Sequence, residues 1–120
     1  MANVLAVDDS VSLRKLVAVT LTQAGHQVCE AANGAEALAA AKQQTFQLVI
    51  SDLNMPMMDG LTFIKNLRMI AAYKFTPILV LTTEMDPEKK KQAKEAGATG
   101  WLVKPFDPEQ LRATIRKVLG

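Results

Sequence analysis

Asp8, Asp9, Asp52, Thr82 and Lys104 each follow a short apolar run: Leu5-Ala6-Val7, Leu48-Val49-Ile50-Ser51, Ile78-Leu79-Val80-Leu81 and Trp101-Leu102-Val103. If those runs are parallel strands, their carboxyl ends share one edge of a sheet, where open α/β sheets place their ligands. Three carboxylates, a hydroxyl and an ammonium would then converge on one crevice. Carboxylates crowded together repel unless a cation sits among them, and a hard divalent ion with oxygen ligands suits them best. The first functional expectation is therefore a Mg²⁺ site.

The stretches between the runs have the period of helices. Leu13, Leu16, Val17, Thr20, Leu21 and Ala24 recur at helical spacing after the first run, with Ser10 or Ser12 as the N-cap and Gly25 as the stop. A strand over 27–31 leads to the turn signal Asn33-Gly34 and an alanine-rich helix over 35–42. Leu61, Ile64, Leu67 and Ile70 mark a third helix, whose opening carries Pro56, Asp59 and Gly60. Asp86-Pro87 and Asp107-Pro108 open the last two helices, with an acid as N-cap and proline at the first helical position. Leu111, Ile115, Val118 and Leu119 form the apolar stripe of the fifth helix, whereas the fourth, over 87–96, offers only Ala93 and Ala96 for burial and should be lightly anchored. Five such βα units predict an α/β fold, a doubly wound parallel sheet with helices on both faces.

A chain of 120 residues is expected to form one domain, 1–120, with no staples. Cys29 is the only cysteine, which suits a reducing compartment, and it reads as a small buried hydrophobe. The start runs straight into a strand without a basic leader, and no stretch approaches the roughly 18 apolar residues of a membrane span. A cytoplasmic protein without membrane insertion is the expectation. Net charge is +2, so nucleic acid is not indicated and any basic surface must be local. His26, the only histidine, reads as an exposed strand-entry residue.

Asp8-Asp9, the segment from Asp52 through Asn54, Met55, Pro56, Met57 and Met58 to Asp59-Gly60, Thr82, and Lys104-Pro105-Phe106 together resemble the response-regulator receiver domain, in order and spacing, over essentially the whole chain. The match looks nearest to single-domain chemotaxis receivers, with no output domain. The resemblance implies the flavodoxin-like strand order 2-1-3-4-5 and makes Asp52 the phosphoacceptor. A carboxylate attacking phosphorus gives a hydrolysable mixed anhydride, and such transfer depends mostly on positioning and charge neutralisation. The resemblance implies Mg²⁺ held by Asp9, Asp52 and the backbone carbonyl of Asn54, with Asp8 acting through water. Thr82 and Lys104 would each reach a phosphoryl oxygen. The Lys104-Pro105 bond is expected to be cis, aiming Lys104 into the crevice. Asn54 and Glu84, two positions beyond Asp52 and Thr82, resemble tuners of phosphoryl lifetime. Trp101 stands where the family commonly has a tyrosine or phenylalanine that changes rotamer on activation, and its bulk is a departure.

Lys89, Lys90, Lys91 and Lys94 lie on the weakly apolar fourth helix, and with Arg112 and Arg116 they are expected to form a surface for acidic partners. The expected function is a phosphorylation-controlled switch. A sensor histidine kinase donates to Asp52, and a monomeric protein then binds a target such as the flagellar-motor switch, or serves as a phosphate sink or relay. On this reading it is no enzyme beyond its own phosphoryl uptake and loss. An aspartate-dependent phosphohydrolase of the haloacid dehalogenase type uses the same residue set, but needs an acid two residues after the nucleophile, where Asn54 stands. A flavodoxin-like mononucleotide binder lacks its phosphate loop here, since Asp8-Asp9 would repel a phosphate.

Overall fold

The computed structural model describes residues 2–55, 57–83, 87–104 and 106–119. Strands and helices alternate: β1 (Asn3–Val7), α1 (Val11–Gln23), β2 (Gln27–Ala31), α2 (Gly34–Gln43), β3 (Leu48–Asp52), α3 (Gly60–Arg68), a 3-10 turn (Ala71–Tyr73), β4 (Ile78–Thr82), α4 (Pro87–Ala96), β5 (Gly100–Val103) and α5 (Pro108–Leu119). The strands pair in parallel in the order β2-β1-β3-β4-β5. This is the doubly wound architecture expected.

Side chains alternate across each strand, so the sheet carries two cores. Val4 and Ala6 of β1, Leu48 and Ile50 of β3, and Leu79 and Leu81 of β4 pack with Val17 and Leu21 of α1 and with Leu111 and Ile115 of α5. Leu5, Val7, Val49, Ile78 and Val80 point the other way, onto Ala37 of α2, Phe63, Ile64 and Leu67 of α3 and Ala93 of α4. β3 and β4 are buried at every position, as strands covered on both faces must be. Burying a leucine-sized side chain contributes about 2 kcal/mol, and α4, which buries only Ala93 and Ala96, gains far less than its neighbours.

The helix starts follow capping chemistry. Ser10 Oγ accepts from the Leu13 N–H, Asn33 Oδ1 from Glu36, Asp59 Oδ1 from Thr62, and Asp107 Oδ1 from Gln110, whose Oε1 accepts in return from the Asp107 N–H. Asp86 and Pro56 lie outside the described residues. Ile70 does not extend α3, which ends at Arg68. The chain turns there to deliver Tyr73 into the core, with its hydroxyl 2.8 Å and 2.7 Å from the Ala41 and Gln44 carbonyls. Arg68 fastens this turn by donating to the carbonyls of Tyr73 and Gly97.

One further expectation is corrected. His26 is half-buried, its Nδ1 accepting from the Ala2 N–H at 3.1 Å, and not an exposed entry residue. Leu111 and Ile115 bury against the α1 face of the sheet, and each arginine follows one position later, rotated by roughly 100°. Arg112 and Arg116 therefore line a small cleft with Leu21, Ala24 and His26, beside α1.

Candidate functional site

Parallel register aligns the strand ends. Val7 pairs with Ser51, Asp52 with Leu81 and Thr82 with Val103, so Asp8, Asp52, Thr82 and Lys104 emerge together at the carboxyl edge. Asp8, Asp9 and Asp52 each bring a carboxylate oxygen within 4.8 Å of the other two. Asp8 and Asp52 are buried, and Asp9 is exposed. Lys104 Nζ lies 3.1 Å from Asp8 Oδ2 and 3.3 Å from Asp52 Oδ2. Thr82 is fully buried at the end of β4, and its carbonyl accepts from the Lys104 N–H at 2.8 Å.

The second oxygens of the buried acids are held by backbone. Asp8 Oδ1 accepts from the Ser10 N–H at 2.9 Å, and Asp52 Oδ1 from the Leu53 N–H at 2.8 Å. Burial pushes the Asp52 carboxyl above its ordinary range, while the Lys104 ammonium opposes that rise and Asp8 reinforces it. The Lys104 ammonium thus favours the charged form of a carboxylate whose burial disfavours it. The donor set, three carboxylates against one ammonium, fits a hard divalent cation.

Asn54 is exposed beside the crevice. Glu84 and Pro105, with the cis bond expected at the latter, lie outside the described residues. Trp101 is half-buried against the core on the α4 side, with Lys90 Nζ 6.0 Å from its ring centroid. An open groove of about 480 Å³ lies there rather than over the carboxylates, lined by Pro87, Lys90, Lys91, Lys94, Thr99 and Trp101 among others.

The sequence alone does not place Gly60 against the Asp52 backbone, nor pair Arg14 with Glu30. A Cβ on Gly60 would meet the Asp52 carbonyl oxygen at 2.2 Å, so α3 starts against the backbone of Asp52 itself. Asp59-Gly60 carried a faint signal of this. Arg14 and Glu30, 16 positions apart, meet only through the fold.

The family model of the response regulator receiver domain matches residues 4–116. The chain belongs to this family. "Chemotaxis protein CheY homolog" of Campylobacter jejuni is 39% identical, across 97% of this chain and 91% of that protein. "Chemotaxis protein CheY1" of Helicobacter pylori is 38% identical, across 97% of this chain and 95% of that protein. Among solved structures, chemotaxis response regulator CheY4 of Vibrio cholerae is 58% identical with a TM-score of 0.95, each chain covered to 98%. This receiver is accordingly a signalling domain, similar over nearly its whole length to chemotaxis response regulators. No helix among the described residues is long and apolar enough to cross a membrane.

Proposed function

We propose that this receiver is a phosphorylation-activated switch of a two-component, chemotaxis-type pathway, acting in the cytoplasm as a monomer. The observation that carries the reading is the half-buried ammonium of Lys104 between Asp8 and Asp52, beside the exposed carboxylate of Asp9. Asp9, Asp52 and the Asn54 carbonyl would hold Mg²⁺, with Asp8 behind them. The ion would supply charge neutralisation for an anion approaching an anion. In the transfer, an Asp52 carboxylate oxygen forms a bond to phosphorus while the bond from phosphorus to the kinase's histidine nitrogen breaks, and the electron pair leaves with the imidazole. Lys104 then moves its point charge to a phosphoryl oxygen, and Thr82 donates its hydroxyl to another. Asn54, at the rim, and Glu84 set how readily a water aligns for hydrolysis. A phosphohydrolase acting on an organic substrate is disfavoured, because Asn54 cannot protonate a leaving group and the 480 Å³ groove is not over the acids.

The output follows from α4. It is held by little buried apolar surface and carries Lys90, Lys91 and Lys94 along the groove beside Trp101, so its packing is open to re-biasing from Thr82. An acidic segment of the kinase or of a flagellar-motor switch protein would dock there, while Arg112 and Arg116 would lie off that surface. Beryllofluoride with Mg²⁺, standing in for the acyl phosphate, should change amide exchange most in α4 and β5. Reversing Lys90 and Lys91 to Glu should weaken partner binding at physiological salt by about tenfold, roughly 1.4 kcal/mol, with Asp52 still phosphorylated. Equal partner affinity would place the output elsewhere.

A further inference from the structure

β1 ends at Val7, so Asp8 and Asp9 lie beyond the regular ladder. The last bond of the β1–β2 ladder and one side-chain bond hold Asp8. The Asp8 N–H donates to the Ala31 carbonyl at 3.1 Å, and the Asp8 carbonyl accepts from Arg14 Nη1 at 2.7 Å. That carbonyl belongs to the planar peptide joining Asp8 to Asp9, so fixing its direction fixes where Asp9 leaves the chain. The guanidinium is itself held: Nε donates to Glu30 Oε1 at 3.0 Å, while Lys15 Nζ donates to the other oxygen at 2.9 Å. Hydrogen bonds from Lys15 and then Arg14 keep the Glu30 carboxyl below its ordinary range, so it stays ionised. The Arg14 side chain is only 14% exposed, unlike a solvated surface arginine.

We infer that Arg14, clamped by Glu30, is a positioning residue that sets the Asp8–Asp9 peptide for divalent-cation binding. The inference rests on the Mg²⁺ reading above. Arginine is required because its fork reaches the carbonyl and the carboxylate at once, whereas a lysine ammonium is a single point on a flexible stem. Charge and geometry predict opposite signs for its loss. A cation beside three carboxylates repels Mg²⁺, so on charge alone its removal tightens binding. On geometry, its removal frees the peptide plane, and Asp9 must be ordered anew whenever the ion binds, which weakens binding. Glu30 balances the guanidinium charge, so the clamp holds the loop with little electrostatic penalty to the ion.

Calorimetric Mg²⁺ titration of the full chain, with circular dichroism to confirm folding, separates these signs in Arg14→Met, Arg14→Lys and Glu30→Gln. The dissociation constant should rise about tenfold in Arg14→Met, and by less in Arg14→Lys and Glu30→Gln. The lost phosphoryl uptake from a small acyl-phosphate donor should be recovered by raising Mg²⁺, which a general loss of stability would not produce. Unchanged or tighter Mg²⁺ binding by folded Arg14→Met overturns the inference. If that variant does not fold, Arg14→Lys decides: it keeps the charge, and wild-type affinity there overturns the positioning role. Failure of the unmodified chain to bind Mg²⁺ would instead overturn the metal reading itself.

Discussion

Gly60→Ala is expected to destabilise the protein by roughly 3 kcal/mol, at the upper end of overpacking penalties, and to lower phosphoryl uptake by about a hundredfold, the cost of an ångström-scale misplacement. The new Cβ would stand 2.2 Å from the Asp52 carbonyl oxygen and 2.8 Å from Leu53 Cα. Both are backbone atoms in a buried strand end, so neither can swing aside as a side-chain tip would. The Gly60 N–H also donates to the Leu53 carbonyl at 2.9 Å, tying the start of α3 to the loop after Asp52. Either α3 retreats and loses Phe63 and Ile64 from the core, or the Asp52-Leu53 peptide moves. Gly25→Ala is the control: its φ of +94° strains an alanine, but nothing lies within 4 Å of the added carbon. It should cost about 1 kcal/mol and leave uptake intact. Urea unfolding and acyl-phosphate labelling of the two variants would measure both quantities. Wild-type uptake in Gly60→Ala would show that the backbone of Asp52 tolerates the intrusion.

Lys104→Met is expected to cost about 3 kcal/mol in Mg²⁺-free solution at neutral pH, since breaking a buried pair from one side leaves uncompensated charge. Here one ammonium serves two buried carboxylates, at 3.1 Å and 3.3 Å, so its removal leaves Asp8 and Asp52 facing each other. Mg²⁺ should bind this more negative crevice more tightly than the wild-type one and restore part of the stability, while phosphoryl uptake falls for want of the point charge. The pH dependence has a definite sign. Burial already holds the Asp52 carboxyl above its ordinary range against the pull of Lys104, and without Lys104 it rises further. An acid whose folded pKa exceeds its unfolded one binds a proton more readily in the fold, so its penalty is full above the folded pKa and relieved as pH falls through it. The stability deficit of Lys104→Met should therefore shrink on mild acidification. A deficit that grows instead would mean that Lys104 stabilises through something other than these acids.

The legible parts of this protein were those set by local chemistry or by strand ends. The runs ending on Asp52 and Thr82 are readable because β3 and β4 are covered on both faces and hence mostly apolar up to their last residues. Ser10, Asp59 and Asp107 stand where they cap helices because a side-chain oxygen two or three residues ahead of free N–H groups is a local requirement. Strand order was not a matter of pattern, and the family resemblance supplied it. What stayed hidden needed three dimensions. That Arg112 and Arg116 line a cleft beside α1 is not readable from the chain, because the side of the sheet on which a helix lands is a topological fact. Tyr73 became a core anchor through carbonyls 32 and 29 residues away. Arg14 reached Asp8 through a carbonyl, and a residue alphabet carries no mark for which backbone oxygen lacks a ladder partner.

On the proposed function, Asp52, aided by Mg²⁺ at this crevice, accepts the phosphoryl group. Incubation with a small acyl-phosphate donor, followed by intact-mass and peptide-level mass spectrometry at low pH, tests it most directly. One base-labile phosphoryl group per chain should appear on the peptide containing Asp52, disappear when divalent ions are chelated, and be absent from Asp52→Asn, which keeps the shape without the nucleophile. Labelling that persists in Asp52→Asn would rule out Asp52 as the acceptor, and labelling that proceeds equally well in the presence of a chelator would rule out the divalent ion.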